Sequence, residues 1–296
     1  MTCSMHALVQ GVILGVLTGG VYALMASGQT LIFGIMKVVN LAQGALVILS
    51  AYLAFQMFTS FGLDPLLAIP VVMVVMFALG CGVQLAFIRP LRREDRSELS
   101  LLVTFAVALL VEGIMSITWR TTYRSINTGY ANHSWTVSGY QITAVRLWGF
   151  LLSLGILGLL YLLLQRTRFG RAVRATVQNP ESARLLGVPA ERISALGFGL
   201  GSATAAAAGS IYGMLYPFNS GSHYDLISRL LSIVVLGGLG SVGGAVVAAI
   251  IVSTSSAVVA STVSPAWSEM TFFVLLILVL LVRPQGLFGT VGRGAI

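Results

Sequence analysis

Apolar residues in this chain run in long blocks rather than at alternating or heptad spacing. A block of roughly 20 mostly apolar residues has the length that crosses a bilayer core as one helix. Such blocks fall at 7–36, 41–59, 66–88, 99–119, 147–164, 193–215 and 267–282. A further apolar stretch, 226–262, is too long for one helix and is interrupted by Gly237-Gly238-Leu239-Gly240-Ser241-Val242-Gly243-Gly244. It divides into a short segment, 226–236, and a full span, 242–262. The pattern predicts an all-α integral membrane protein with a single transmembrane domain over 1–296. It has about eight spanning helices plus a short re-entrant or broken segment over 226–241. Non-helical backbone at membrane depth is tolerated only where protein or a water-filled cavity surrounds it. The glycine cluster is therefore a candidate wall of a pathway.

Composition strengthens this picture. Apolar residues make up 57% of the chain and charged residues 9%, whereas soluble domains carry about 25% charged residues. The surface of this chain has to face lipid. Sixteen Arg and one Lys outweigh nine acids, for a net charge of +8. The basic residues cluster in loops beside apolar blocks, with no aromatic-rich soluble module, so a nucleic-acid partner is not expected. Their placement follows the positive-inside rule instead. Lys37, the 89–98 loop, the 165–192 loop and the tail (Arg283, Arg293) hold thirteen of the seventeen basic residues, leaving Arg120, Arg124, Arg146 and Arg229 outside. The bias puts the N-terminus outside and the C-terminus on the cytoplasmic side. Eight full crossings cannot separate the termini, so the 226–236 segment has to cross or partly re-enter. The first span lacks a basic flank and a cleavage site and reads as retained rather than as a signal peptide. Cys3 and Cys81 form no metal spacing or disulfide framework.

The segment 165–192 carries Arg166, Arg168, Arg171, Arg174, Arg184 and Arg192 between two apolar blocks. Within it, Asn179-Pro180-Glu181-Ser182-Ala183-Arg184-Leu185-Leu186-Gly187 reads as a miniature helix. Asn179 suits the cap, Pro180 the first helical position, and Glu181 the positive helix end. Gly187 supplies a left-handed stop. A short docking helix on the basic face of a membrane protein suits contact with a motor protein outside the bilayer.

Several motifs are set aside. Gly238-Leu239-Gly240-Ser241-Val242-Gly243 matches G-x-G-x-x-G, but no soluble strand precedes it and no acid follows about 20 residues later. Lys37 lies between Met36 and Val38 rather than after Gly, which excludes a Walker A loop; the chain binds no cofactor and is not its own ATPase. His6, His133 and His223 form no H-E-x-x-H, and no G-x-S-x-G occurs. An enzyme is not expected.

Polar groups within the spans are candidate pathway residues. Glu112 sits inside an apolar block, where a carboxylate costs about 2.5 kcal/mol or more and should face protein or water. As a coupling group it would make the protein a proton-coupled secondary transporter; as an interhelical partner it would be structural. Gln29, Asn40 and Gln43 place amides where the first two spans meet, either to touch a polar solute or to satisfy one another. Tyr22, Ser202, Tyr212 and Ser241 complete the candidate path. Small residues at Gly197, Gly201, Ala205, Gly209 and Gly213 share one helix face and allow close packing, as do Gly11, Gly15 and Gly19. In the polar segment 120–146, Tyr123, Tyr130, Trp135 and Tyr140 read as interfacial anchors, and Asn132-His133-Ser134 is a sequon.

Gly28-Gln29-Thr30-Leu31-Ile32-Phe33-Gly34 followed by Val39-Asn40-Leu41-Ala42-Gln43-Gly44 resembles the opening of branched-chain amino acid ABC transporter permeases. So do Arg89-Pro90-Leu91-Arg92, Gly170-Arg171-Ala172-Val173-Arg174-Ala175 and Ala183-Arg184-Leu185-Leu186-Gly187. Val235-Leu236-Gly237-Gly238-Leu239-Gly240-Ser241 and Arg283-Pro284-Gln285-Gly286-Leu287-Phe288-Gly289 complete the match, which spans the chain in order and looks most like the shorter of the two permease types. The resemblance implies an importer with a second permease subunit, two cytoplasmic ATPases that bind ATP and Mg, and an extracytoplasmic solute-binding protein. It also implies that Asn179–Gly187 is the coupling helix, with Arg171 and Arg174 beside it. The family commonly carries an aromatic residue where Leu41 stands and often His where Gln43 stands. Relatives also carry urea, short amides and other small amino acids.

Overall fold

The computed structural model describes residues 2–91, 96–129, 133–137 and 139–289. Arg92, Arg93, Arg293, Tyr130 and Asn132, named above, lie outside the described residues. The fold is all-helical apart from one small hairpin. Its helices are α1 (Thr2–Met36), α2 (Gln43–Phe61), α3 (Pro65–Val83, continued by a wider turn at Gln84–Ile88) and α4 (Arg96–Trp119). The strands β1 (Ser134–Val137) and β2 (Tyr140–Thr143) follow, then α5 (Ala144–Arg166), α6 (Arg168–Gln178) and α7 (Pro180–Leu185). The chain ends with α8 (Ala190–Leu215), α9 (His223–Gly237), α10 (Val242–Thr262) and α11 (Pro265–Val282).

Local chemistry sets several of these starts. Asp64, Asn179 and Ser264 each stand directly before a proline and accept a hydrogen bond from the backbone N–H two residues on, at 2.9, 3.0 and 3.3 Å. The proline occupies the first helical position, where its missing N–H costs nothing. Ser241 opens α10 the same way, its Oγ accepting from the Gly244 N–H at 3.1 Å.

Seven described helices are long and apolar enough to cross a membrane: α1, α2, α3 with its extension, α4, α5, α10 and α11. Helix α8 was expected to be an eighth. It has 26 residues, about 39 Å at 1.5 Å per residue, and nearly all of it is buried in the centre of the bundle. Its many Gly, Ala and Ser residues lower its apolarity and let neighbouring backbones approach closely. A Cβ on Gly201 would lie 2.8 Å from the Gly28 carbonyl oxygen of α1, and one on Gly213 would lie 3.3 Å from Ala51 Cβ of α2. Gly197 faces Ile35 of α1, and Gly209 faces Val47 and Ser50 of α2. The α1 glycines meet a different neighbour: Gly11, Gly15 and Gly19 all lie against the backbone of α10.

The 226–262 stretch breaks where its glycines stand. Helix α9 has 15 residues, about 22 Å. The chain then turns with Gly238 at φ 98° and Gly240 at φ 88°, backbone conformations that side chains disfavour, and α10 returns. Gly240 lies against Gly34, at one end of α1, while Ser261 of α10 lies against Gly11, near the other. At the Gly34 end sit Lys37, the ion pair Arg89–Glu191 (3.0 Å) and α6–α7. There Leu31, Ile35, Leu160, Val173 and Ile193 form a small apolar cluster of their own.

At the opposite end, the segment 120–146 contains structure that the apolar pattern did not predict. Strands β1 and β2 pair antiparallel, Ser134 opposite Thr143. Tyr140 stacks on His6 at 4.6 Å, and Gln10 exchanges hydrogen bonds with Gln141, 2.7 and 3.1 Å long. Tyr140 thus packs on the start of α1, whereas Tyr123 and Trp135 are exposed.

Candidate functional site

The basic end presents α6 and α7. Helix α6 turns Gly170, Val173 and Thr176 inward at a spacing of three and leaves Arg171 exposed. The Arg174 guanidinium folds back onto the Leu164 carbonyl at the end of α5, where a cation is favoured. Asn179 Oδ1 accepts from the N–H groups of both Glu181 and Ser182 at 3.0 Å, starting α7. Its end is a Schellman turn: Gly187 stands at φ 80°, and the Gly187 and Val188 N–H groups donate to the Arg184 and Ala183 carbonyls, both at 3.0 Å. Ala183 is buried, while Leu185 and Leu186 are 90% and 82% exposed. A six-residue helix is too short to persist alone, so its caps and the Ala183 contact hold it. Replacing Asn179 with Ala should cost this helix about 1 kcal/mol. Hydrogen exchange at the Glu181 and Ser182 amides should then quicken roughly fivefold, with the spans unchanged.

The pathway candidates separate into distinct places. Asn40 and Gln43 are fully buried: Asn40 Nδ2 donates to Gln43 Oε1 at 3.2 Å, and Gln43 Nε2 to the Gly201 carbonyl at 3.2 Å. These amides tie the α1–α2 connection to α8. Gln29 is buried with neither side-chain atom hydrogen-bonded. Ser202 donates to the Phe198 carbonyl within α8, and Ser241 is the cap of α10. None of these five lines the cavity described next. Pairing within the bundle already engages the amide groups of Asn40 and Gln43.

Glu112 lies on α4 and accepts a hydrogen bond from the Tyr224 hydroxyl at 2.9 Å. The buried His223 ring stands 3.8 Å from the same carboxylate, its other nitrogen 2.8 Å from the Ser220 carbonyl. The sequence offered Glu112 no neighbouring partner; the start of α9 supplies two.

Tyr22 and Tyr212 do face a cavity, of about 400 Å³, between α1, α5, α8, α9, α10 and α11. It extends from Gly11 and Ser261 to Tyr22 and Phe272, about 16 Å along α1. Arg229 stands on its wall. The sequence pattern placed Arg229 with the outer charges, but it is the seventh residue of α9 and half buried. An isolated Arg at membrane depth costs about 2.5–3.5 kcal/mol on insertion scales. Here Nη2 meets Glu269 Oε1 at 2.8 Å, Nη1 donates to the Tyr22 hydroxyl at 3.2 Å, and the guanidinium lies 5.6 Å from the Phe272 ring centre.

A helical bundle with seven described helices of bilayer-crossing length and apolarity is the architecture of a multi-pass membrane protein. The chain belongs to the family described as "Branched-chain amino acid transport system / permease component", matched over residues 11–280. It is 29% identical over 293 residues, 95% of each chain, to the "High-affinity branched-chain amino acid transport system permease protein BraD" of Pseudomonas aeruginosa. Against the LivH protein of the same description from Escherichia coli K12 it is 29% identical over 289 residues, 93% of each chain. Similarity extends to a probable LivH of Methanocaldococcus jannaschii, 26% over 279 residues, 90% of this chain and 88% of the other. No solved structure matches the chain. It is a permease subunit of an ABC importer and not an enzyme, and its family implies separate ATPase and binding-protein components.

Proposed function

We propose that the chain is the single-domain membrane permease through which an ATP-driven, binding-protein-dependent importer passes branched-chain or other small amino acids. The solute rests on the relatives' descriptions. The mechanism is carried by one observation: two nearly bare leucines on a firmly capped helix at the basic end of the bundle. Apolar side chains displayed on a rigid knob suit a groove on another protein. In this reading the basic end is cytoplasmic, the N-terminus lies outside, and the 179–187 helix seats in one of two ATPases that bind ATP and Mg. A second, different permease chain completes the membrane unit. Closure and opening of the ATPases move the helix, and the glycine-seamed spans α1, α8 and α10 transmit that movement. ATP shifts the permease only because the ATPase states contact the helix differently.

The test is uptake by proteoliposomes holding both permeases and both ATPases, supplied with the binding protein and a radiolabelled panel of leucine, isoleucine, valine, alanine, urea and acetamide. ATP-dependent accumulation of the branched-chain amino acids is expected. Accumulation of urea or acetamide alone would overturn the solute; accumulation that follows a proton gradient without ATP would overturn the mechanism.

A further inference from the structure

We propose that the cavity lined by Tyr22, Arg229, Ser253, Glu269 and Phe272 binds the zwitterionic head of a free amino acid, Arg229 taking the carboxylate and Glu269 the ammonium. The proposal rests on the reading that the solute is an amino acid, and it assigns where and how the permease itself holds it. Three observations carry it. First, the charged lining is two Arg and one Glu, Arg146 and Arg229 against Glu269. A carboxylate is attracted by this surplus, while the single acid offers an ammonium one partner. Second, the Arg229–Glu269 pair is not closed on itself. It uses one carboxylate oxygen, Oε1, of a group that accepts about four hydrogen bonds, and the Glu269 side chain is 70% exposed. Third, Ser253 is buried, lines the cavity and has an Oγ without a hydrogen-bond partner. A buried hydroxyl left unpaired is costly, and a rotation of Ser253 toward the cavity would let an incoming ammonium or carboxylate pair it.

The remaining wall is mixed, with the hydroxyls of Thr18, Tyr212 and Ser256 beside apolar side chains. Leu14, Ala257 and Phe272 leave room for an aliphatic side chain, and the volume of about 400 Å³ falls within the range of small-ligand sites. A neutral amide such as urea brings no charge to either member of the Arg229–Glu269 pair. Sites built around polar partners reject ligands that lack them by large factors. The arrangement therefore favours amino acids over urea and short amides.

Alkylation of a reporter thiol tests this. In the assembled permease–ATPase complex, without the binding protein and with Cys3 and Cys81 replaced by Ser, Ser253→Cys is treated with a small methanethiosulfonate. Leucine should slow the reaction at least fivefold. 4-Methylpentanoate, which lacks the ammonium, and 3-methylbutylamine, which lacks the carboxylate, should need at least tenfold higher concentrations, and urea should have no effect. In Glu269→Gln, leucine should lose its advantage over 4-methylpentanoate. If the pair only staples α9 to α11, that selectivity will not move. An unchanged rate with leucine, or equal protection by urea, overturns the site. Should the thiol variant fail to assemble, equilibrium binding of radiolabelled leucine to the wild-type and Glu269→Gln complexes decides. Amino-acid uptake without leucine protection would sink this site alone, whereas uptake of urea and no amino acid would sink the function beneath it.

Discussion

Replacing Leu185 and Leu186 together with Asp is expected to detach the ATPases and abolish uptake while leaving the membrane bundle intact. Both side chains are almost bare, 90% and 82% exposed, so the isolated permease gains little from them. Burying two leucines in a partner's groove would be worth about 3–6 kcal/mol. At about 1.4 kcal/mol per tenfold, that loss weakens association by roughly 10²–10⁴. Co-purification of the ATPases and ATP-dependent uptake should both fall at least a hundredfold, and the thermal midpoint of the permease in detergent should stay within a degree or so. Ala183→Asp provides the contrast. Ala183 is 2% exposed, so a charge there disturbs the fold of the segment itself. Normal ATPase association and uptake in the Leu185/Leu186 variant would remove α7 as the coupling element.

Gly15→Leu is expected to disrupt the seam between α1 and α10. A Cβ at Gly15 would lie 2.5 Å from Thr254 Cα and 3.0 Å from the Ser253 carbonyl oxygen. Both obstacles are backbone, so neither can rotate away. Overpacking typically costs about 1–3 kcal/mol; Gly15→Ala should fall in that range and Gly15→Leu beyond it. Folded, monodisperse protein and its thermal midpoint should drop in that order. Gly113→Ala, on α4, should behave oppositely. Nothing lies within 4 Å of the Cβ it adds, and Ala exceeds Gly in helix propensity by about 1 kcal/mol. If Gly15→Leu were tolerated as well as Gly113→Ala, the close α1–α10 approach would not be the native packing.

Much of the architecture was legible because a bilayer imposes length on contiguous sequence. The apolar blocks at 41–59 and 242–262 correspond closely to α2 and α10. The break between α9 and α10 falls within the glycine run, where the chain needs φ values of 98° and 88°. The capped helix Asn179–Gly187 was legible for a similar reason, since its caps lie within five residues of the groups they satisfy. Helix α6 left a readable trace that long-block reasoning passed over, because its buried residues Gly170, Val173 and Thr176 recur every three residues among arginines. The hairpin left less. Its support comes from His6 and Gln10, more than 130 positions away.

The placement of polar groups was the least legible. Gln29, Asn40 and Gln43 stand out in the sequence because amides are rare in apolar blocks, and all three are buried outside the cavity. Arg229 drew none as a site residue, and its partners lie 207 and 40 positions away. Glu112 was noticed alone, and the Tyr224 that bonds it stands 112 positions on. By itself, then, the sequence determined what depends on neighbours along the chain: apolar length, charge bias, the glycine turn and the caps of the short helix. Only the tertiary structure decided which intramembrane polar groups satisfy one another and which face open space. Pairing between helices depends on their rotation and depth, which bilayer-length apolar blocks constrain hardly at all.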